Sequence, residues 1–189
     1  VASVVDELSL THEKIYIVAH SLGTLLAMEQ AIRSKKVCRL FLLAVPLCLS
    51  LKPKMVSNSL KVYFDKICPN DYEALAAKKC YGIGKDKNPF HYIGWGPRFL
   101  ELFAKIRQTR KMIHSLNTPC SVYQSQKDEM VSSKSIKYLN QNPYIFVNEL
   151  ENSGHYYYPK DDFDFFKYQK IVNKDVCEVP SHIIIDNYS

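Results

Sequence analysis

A serine, an aspartate and a histidine follow one another along this sequence, each where an apolar run ends. Ser21 lies in the run AHSLG at 19–23, Asp128 follows the apolar stretch at 119–124, and His155 follows a serine and a glycine. A serine hydroxyl becomes a nucleophile when a histidine removes its proton, and a carboxylate can orient that histidine and balance its charge. These three residues could therefore carry out acyl transfer.

The segment around Ser21 has the pattern of a strand, a sharp turn and a helix. Residues 15–18 (IYIV) are apolar and partly β-branched, and apolar residues recur at helical spacing in 25–32. A turn of this kind lifts the serine clear of its neighbours, and the close approach of strand and helix requires small residues two positions away on each side. Gly23 meets that requirement, and Ala19 adds only one methyl group.

The same turn predicts a role for the residue after the serine. Leu22 stands at the N-terminus of the predicted helix, where a free backbone N–H and the helix dipole favour negative charge. We therefore expect the Leu22 N–H to face an oxyanion forming on a bound acyl group. The alternative is an ordinary strand-to-helix turn with an incidental serine.

Composition indicates one globular domain and excludes some classes of function. The chain has 189 residues, of which 47% are hydrophobic, and its net charge of +6 comes mainly from lysines scattered among acidic residues. Since no basic stripe marks a nucleic-acid groove, we expect no nucleic-acid partner. No stretch has the roughly 18 apolar residues needed for a transmembrane helix. The first ten residues lack the pattern of a signal peptide and resemble the end of an amphipathic helix.

The cysteines indicate buried thiols rather than a metal site. Their spacing contains no C-x-x-C pair and no histidine at metal-site spacing, and several lie in apolar runs; they are Cys38, Cys48, Cys68, Cys80, Cys120 and Cys177. Reduced thiols are typical of the cytoplasm, which is the location we expect. We expect neither a metal nor a cofactor.

Apolar runs and helical periodicity alternate along the chain, as in an α/β protein with a parallel sheet. Strands are predicted at Lys14–Ala19, Val37–Val45, Pro119–Gln124 and Tyr144–Leu150. A short run at Ile183–Ile185 also has β-like composition, but the sequence does not assign it a place. The predicted helices are an N-terminal one, one from the turn at Ser21 to Arg33, and Val56–Ile67, Asp71–Tyr81, Pro97–Leu116, Ser132–Asn140 and Asp161–Val172.

The block 47–117 lies between two predicted strands and contains helices but no strand-like run. We interpret it as a helical insertion within a single domain of 1–189, with a glycine- and aromatic-rich loop at Gly82–Gly96. The alternative is a set of plain packing helices, because aromatic residues at helical spacing are usually core residues.

The acid and the base each follow a predicted strand. Asp128 is the candidate acid and Glu129 the fallback; the alternative is that both favour the N-terminus of the next helix. His155 is the candidate base, and we expect Gly154 to let the backbone turn so that the imidazole faces the serine. His20 precedes Ser21 and is expected to pack beside the turn.

The turn at Ser21 and the order serine, acid, histidine resemble the α/β-hydrolase family, in which the turn is called the nucleophile elbow. The similarity extends from about Lys14 to Val172 and is closest to small carboxylesterases and monoacylglycerol-lipase-like enzymes. The resemblance implies the C-terminal part of an α/β-hydrolase sheet, with about four mostly parallel strands, flanking helices and 47–117 as a cap. It also implies cleavage of carboxylic esters of apolar acyl groups by Ser21, Asp128 and His155.

The N-terminal part departs from the family pattern. A full member has further strands before the elbow, and a loop after one of them supplies a second oxyanion donor; here only 13 residues precede the predicted strand. We therefore expect either part of a longer hydrolase or a sheet completed by a second copy, with an exposed edge on the elbow strand that promotes association. Thioester or peptide cleavage, and an inactive binding module, remain alternatives.

Overall fold

Parallel strands form the centre of the protein. The structure is a computed structural model that describes residues 1–50, 52–80 and 96–164, and the backbone of 184–186. One sheet has the strand order β4-β3-β2-β1-β5, and every neighbouring pair is parallel. The strands are β1 (Ile15–His20), β2 (Val37–Leu43), β3 (Cys120–Ser125), β4 (Ile145–Leu150) and β5 (Ile184–Asp186). The four predicted parallel strands are confirmed.

Helices connect the strands and cover the sheet. They are α1 (Ala2–Thr11), α2 (Leu22–Arg33), α3 (Pro53–Tyr63), α4 (Tyr72–Cys80), α5 (Gly96–Met112) and α6 (Ser135–Leu139), and residues 160–164 are also helical. A 3-10 turn at Ile113–Ser115 follows α5. The predicted loop Gly82–Gly96, except Gly96, and the predicted helix Asp161–Val172 beyond 164 lie outside the described residues.

Three helices differ by more than one residue from the predicted bounds. Helix α5 ends at Met112 rather than Leu116, and the 3-10 turn follows it. Helix α3 begins three residues early, at Pro53, because proline suits a first turn in which the N–H has no partner. It ends at Tyr63 rather than Ile67, and Asp65 just beyond has a φ of 55° that no α-helix contains. Helix α6 is limited to Ser135–Leu139.

The main core lies on one face of the sheet. Ile15, Ile17 and Ala19 alternate along β1 with less buried residues, so one side of the strand faces the helices. Leu25 and Met28 of α2 are almost completely buried against this face. Packing of α2 against β1 and β2 fixes the direction in which the turn between β1 and α2 points.

The last part of the 47–117 block belongs to the same core. Ile106 of α5, Ile113 and Leu116 are buried with the strand residues of the main face. Helices α3 and α4, by contrast, pack mainly on each other. In its described parts, 47–50, 52–80 and 96–117, the block therefore contains one helix that covers the sheet and two that form a separate pair.

Strand β5 corrects the expectation of an exposed edge on the elbow strand. Ile184, Ile185 and Asp186 pair with β1 at Ile17–Ala19. The expectation is wrong over these residues because the short isoleucine run, which the sequence left unassigned, extends the sheet there.

Within the described part of the chain, no helix is long and apolar enough to cross a membrane.

Candidate active site

Ser21 stands in a strained backbone conformation at the turn between β1 and α2. Its φ is 51° and its ψ is −125°, a region that residues with a Cβ rarely adopt and that costs on the order of 1–3 kcal/mol. The Ser21 N–H donates to the carbonyl of Leu43 at 3.0 Å, which fastens the turn to the end of β2. The strained turn directs the Ser21 side chain towards the loops that follow β3 and β4.

Three residues predicted from the sequence lie in one hydrogen-bonded chain. The Ser21 hydroxyl is 3.1 Å from Nε2 of His155, and Nδ1 of His155 is 2.9 Å from Oδ2 of Asp128. An ionised carboxylate only accepts, so Nδ1 carries the proton and Nε2 accepts from the Ser21 hydroxyl. Asp128 and His155 are both buried, at 1% exposure each. The geometry allows His155 to remove the Ser21 proton.

The surroundings of Asp128 favour its ionised form. Burial alone would raise the pKa of this carboxyl, but the hydrogen bond and charge of His155 oppose that effect. The backbone N–H groups of Met130 and Val131 also donate to Oδ1, at 2.8 and 2.7 Å. Together these contacts lower the pKa of Asp128 below its ordinary value.

His20 lies beside His155 rather than in the proton path. Its Nε2–H donates to the backbone carbonyl of His155 at 2.9 Å, and the two ring centroids are 4.8 Å apart. Burial and the neighbouring charge of His155 lower the pKa of His20 to about 4, so its imidazole is neutral near pH 7. The expectation that His20 packs beside the turn is confirmed.

Glu129, the alternative acid predicted from the sequence, does not bond the imidazole of His155. An acid that orients the base would have to do so. Oε2 of Glu129 accepts from the backbone N–H of His155 at 2.9 Å, and the side chain is 5% exposed. Asp128 holds the imidazole instead. The two neighbouring carboxylates therefore contact different parts of the same histidine.

Further hydrogen bonds hold the segment that carries His155. The Ser125 hydroxyl donates to the carbonyl of Ser153 at 2.5 Å, and the Ser153 hydroxyl donates to Oδ2 of Asp162 at 2.6 Å. The Gly154 N–H donates to the carbonyl of Tyr157 at 2.8 Å. These bonds fix the loop between the end of β4 and the helical residues 160–164.

Gly154 has a negative φ, which corrects the reason expected for it. No described glycine has a positive φ, so the backbone here is one that other residues can adopt. A Cβ at this position would instead lie 3.1 Å from Oε2 of Glu129. The close approach of Glu129 therefore disfavours a larger residue at position 154.

Leu22 is the first residue of α2, and its side chain is 39% exposed. An N–H at this position has no carbonyl one turn earlier in its own helix, so it can bond a ligand. The N-terminus of α2 therefore presents a donor directly beside Ser21. Its role as an oxyanion donor stays a prediction.

The described residues contain no cluster of three or more histidine, cysteine, aspartate or glutamate side chains that could hold a metal ion. Cys38, Cys48, Cys68 and Cys120 are free thiols. Burial raises the pKa of Cys120 to about 12, so this thiol stays protonated.

Solved structures with a similar backbone identify the fold. A monoacylglycerol lipase from Paleococcus ferrophilus matches with a TM-score of 0.63 and 15% identity, covering 89% of this chain and 71% of that one. The chain has the α/β-hydrolase fold. A structure described under two metagenome-derived lipolytic enzymes, LipS and LipT, matches with a TM-score of 0.59 and 14% identity, over 92% of this chain and 70% of the other.

The same fold is found in a meta-cleavage product hydrolase, CumD, from Pseudomonas fluorescens IP01. Its TM-score is 0.57 at 16% identity, and the match covers 92% of this chain and 70% of that one. No protein-family model and no curated protein matches the sequence. The α/β-hydrolase fold thus rests on structure, since the identity to these three proteins is only 14–16%.

Sequence reasoning located the Ser21, Asp128 and His155 group but missed two of its contacts. It considered Glu129 as an acid or as a residue that favours a helix N-terminus, and His20 as a packing residue, whereas both bond the His155 backbone. The sequence signal for both contacts was that Glu129 follows Asp128 directly and His20 directly precedes Ser21. Which backbone atom each would meet depends on how three loops come together.

Proposed function

We propose that this protein is a serine hydrolase that cleaves carboxylic esters through an acyl-enzyme intermediate. The observation that carries the proposal is the hydrogen-bonded chain from Asp128 through His155 to a serine in a strained elbow. Strained backbone at a reactive residue is typical of functional sites, because the rest of the structure must maintain it. The neighbours of this fold, which include a monoacylglycerol lipase, are consistent with the same chemistry.

The reaction follows from the positions of the protons. The Ser21 Oγ attacks the ester carbonyl carbon while its proton passes to Nε2 of His155, and Asp128 stabilises the imidazolium that forms. The tetrahedral intermediate then expels the alcohol, which takes that proton from His155 and leaves an acyl group on Ser21. Water attacks this acyl group with the same help from His155, releasing the carboxylic acid and restoring the serine hydroxyl.

Negative charge on the carbonyl oxygen needs donors in both tetrahedral steps. We assign one of them to the Leu22 N–H, which lies at the N-terminus of a helix and beside the nucleophile. The dipole of the 12-residue helix α2 places partial positive charge at its N-terminus, which also stabilises the negative oxygen.

We also propose that the first part of 47–117 caps the site and favours apolar acyl groups. The supporting contact is between rings: Tyr72 at the start of α4 stacks on Tyr157, two residues after His155, with centroids 6.2 Å apart. The backbone N–H of Lys52, just before α3, also donates to the Glu129 carbonyl at 3.0 Å. These contacts connect the α3–α4 pair to the two loops that hold the acid and the base.

Hydrolysis of p-nitrophenyl esters of short and medium chain length tests the function. We expect turnover by the wild type, loss of at least about 1000-fold in Ser21→Ala, and wild-type rates in the exposed control Ser133→Ala. A fluorophosphonate probe should label the wild type at Ser21, as identified by peptide mass spectrometry. Equal turnover in Ser21→Ala and the wild type would refute the proposal.

The same measurements separate the alternatives. Specificity constants for matched esters, thioesters and peptides would reveal a thioesterase or peptidase. A folded wild type that neither hydrolyses esters nor reacts with the fluorophosphonate would indicate an inactive binding module.

A further inference from the structure

Two neighbouring buried carboxylates converge on one histidine from different directions. Oδ2 of Asp128 lies 2.9 Å from ring Nδ1 of His155, and Oε2 of Glu129 lies 2.9 Å from its backbone N. Asp128 and Glu129 are 1% and 5% exposed. Burying a carboxylate is costly unless it accepts hydrogen bonds, so the placement of Glu129 requires a specific compensation.

We propose that Glu129 is a positioning residue that fixes the backbone of His155, and that position 154 is glycine to leave room for it. The proposal rests on the proposed function, because it assigns Glu129 a part in aiming the base at Ser21. Asp128 sets the orientation of the ring, whereas Glu129 sets the place of the main chain from which the ring extends.

His20 provides a second point of attachment for the backbone of His155. Its Nε2–H donates to the His155 carbonyl at 2.9 Å, on the other side of the residue from the bond of Glu129. His155 is therefore attached through its N–H to the loop after β3 and through its C=O to the end of β1. The bond to His20 thus fixes the backbone of His155 directly to β1, the strand that ends just before Ser21.

Gly154 supplies independent support. Its φ is not positive, so backbone conformation does not demand glycine here. A Cβ would lie 3.1 Å from Glu129 Oε2, which is tighter than ordinary contact, so this oxygen would have to shift by a few tenths of an ångström and its bond to the His155 N–H would be strained. Alanine at 154 should therefore act through Glu129.

The distance between base and nucleophile explains why the position matters. Nε2 of His155 and Oγ of Ser21 are 3.1 Å apart, within the range for proton transfer. A shift of about 1 Å in a reacting group can cost on the order of 100-fold in rate. Loss of one backbone anchor should consequently lower the rate of chemistry more than it changes substrate binding.

The test uses Glu129→Ala, Glu129→Gln, Gly154→Ala and the double variant Glu129→Ala/Gly154→Ala, with the exposed Glu151→Ala as the matched control. We expect Glu129→Ala to lower kcat by about 10- to 100-fold with little change in KM. Glutamine keeps an oxygen acceptor, so Glu129→Gln should restore most of the activity. Gly154→Ala should slow the enzyme alone but add nothing once Glu129 is alanine.

Hydrogen exchange of the peptide 151–158 gives a readout that needs no activity. The His155 amide should exchange faster in Glu129→Ala than in the wild type, and Glu129→Gln should retain most of the protection. If Glu129→Ala and Glu129→Gln lose kcat equally, or if the two alanine substitutions multiply their effects, the positioning role is wrong. If the wild type is inactive while the exchange pattern holds, the proposed function fails and the attachment of His155 by Glu129 stands.

Discussion

Four hydrogen bonds hold His155, and each comes from a different residue. Ser21 and Asp128 contact the two ring nitrogens, while Glu129 and His20 contact the backbone N–H and C=O. Bonds to both ring and backbone leave the imidazole little freedom to turn away from the serine. At the scale of single residues, these four bonds therefore hold the imidazole beside Ser21 without help from a ligand.

His20 should make folding stability depend on pH. Its pKa in the folded protein is about 4, against an ordinary value of 6.5, so below pH 6.5 the unfolded chain binds more protons than the folded one. The contribution of His20 to the free energy of unfolding is fully present above pH 6.5. It is lost as the pH falls towards 4, by up to about 3 kcal/mol. The lowered pKa of Asp128 adds a loss only at still lower pH.

The measurement is the free energy of unfolding in urea between pH 7 and 4 for the wild type and His20→Gln. We expect a clearly smaller decline in His20→Gln, whereas His114→Gln, at an exposed position, should follow the wild type. Superimposable pH profiles of the wild type and His20→Gln would contradict the burial argument.

At the scale of elements, the turn between β1 and α2 stores strain that a change of residue can relieve. Ser21 has a φ of 51°, which glycine adopts without cost from a Cβ. Ser21→Gly should therefore unfold at higher urea than Ser21→Ala, with a difference of about 1 kcal/mol after the greater flexibility of unfolded glycine is allowed for.

Ser34, at the other end of α2, is the matched control. Its φ is −119°, an extended conformation open to any residue, so Ser34→Gly should be no more stable than Ser34→Ala. Finding alanine more stable than glycine at position 21 as well would show that the elbow is not strained.

Local patterns in the sequence were sufficient for the four long strands and the elbow. Strands β1 and β2 are largely apolar, β3 and β4 are short runs that contain β-branched and aromatic residues, and Ser21 is flanked by small residues at the spacing that a tight turn requires. Strand β5 was not predictable, because three isoleucines can pair with any open edge and only the assembled sheet selects β1. The bond between Glu129 and His155 likewise depends on two loops that meet through the fold.

At the scale of the whole molecule, stability depends on the core between the sheet and its covering helices. Leu40 is completely buried in the middle of β2, between β1 and β3, whereas Leu10 at the end of α1 is 85% exposed. Leu40→Ala should lower the free energy of unfolding by about 2–5 kcal/mol, through lost burial and the cavity left behind.

The control Leu10→Ala removes the same atoms from the surface and should change stability by less than about 0.5 kcal/mol. Urea denaturation of both variants gives the comparison. Equal losses would mean that the central strand is not packed as described.

The separation of Ser21 and His155 along the chain also has a consequence for folding kinetics. Their side chains meet across 134 positions, and the parallel strands that bring them together pair at separations that run from 22 residues, for Ile15 and Val37, to 80 residues, for Leu40 and Cys120. Contacts of this kind form slowly, because the entropy of closing long loops must be overcome first. Reactivity of Ser21 towards a fluorophosphonate should therefore appear only in the final phase of refolding, which would make the nucleophile a chemical reporter that distinguishes native molecules from collapsed intermediates.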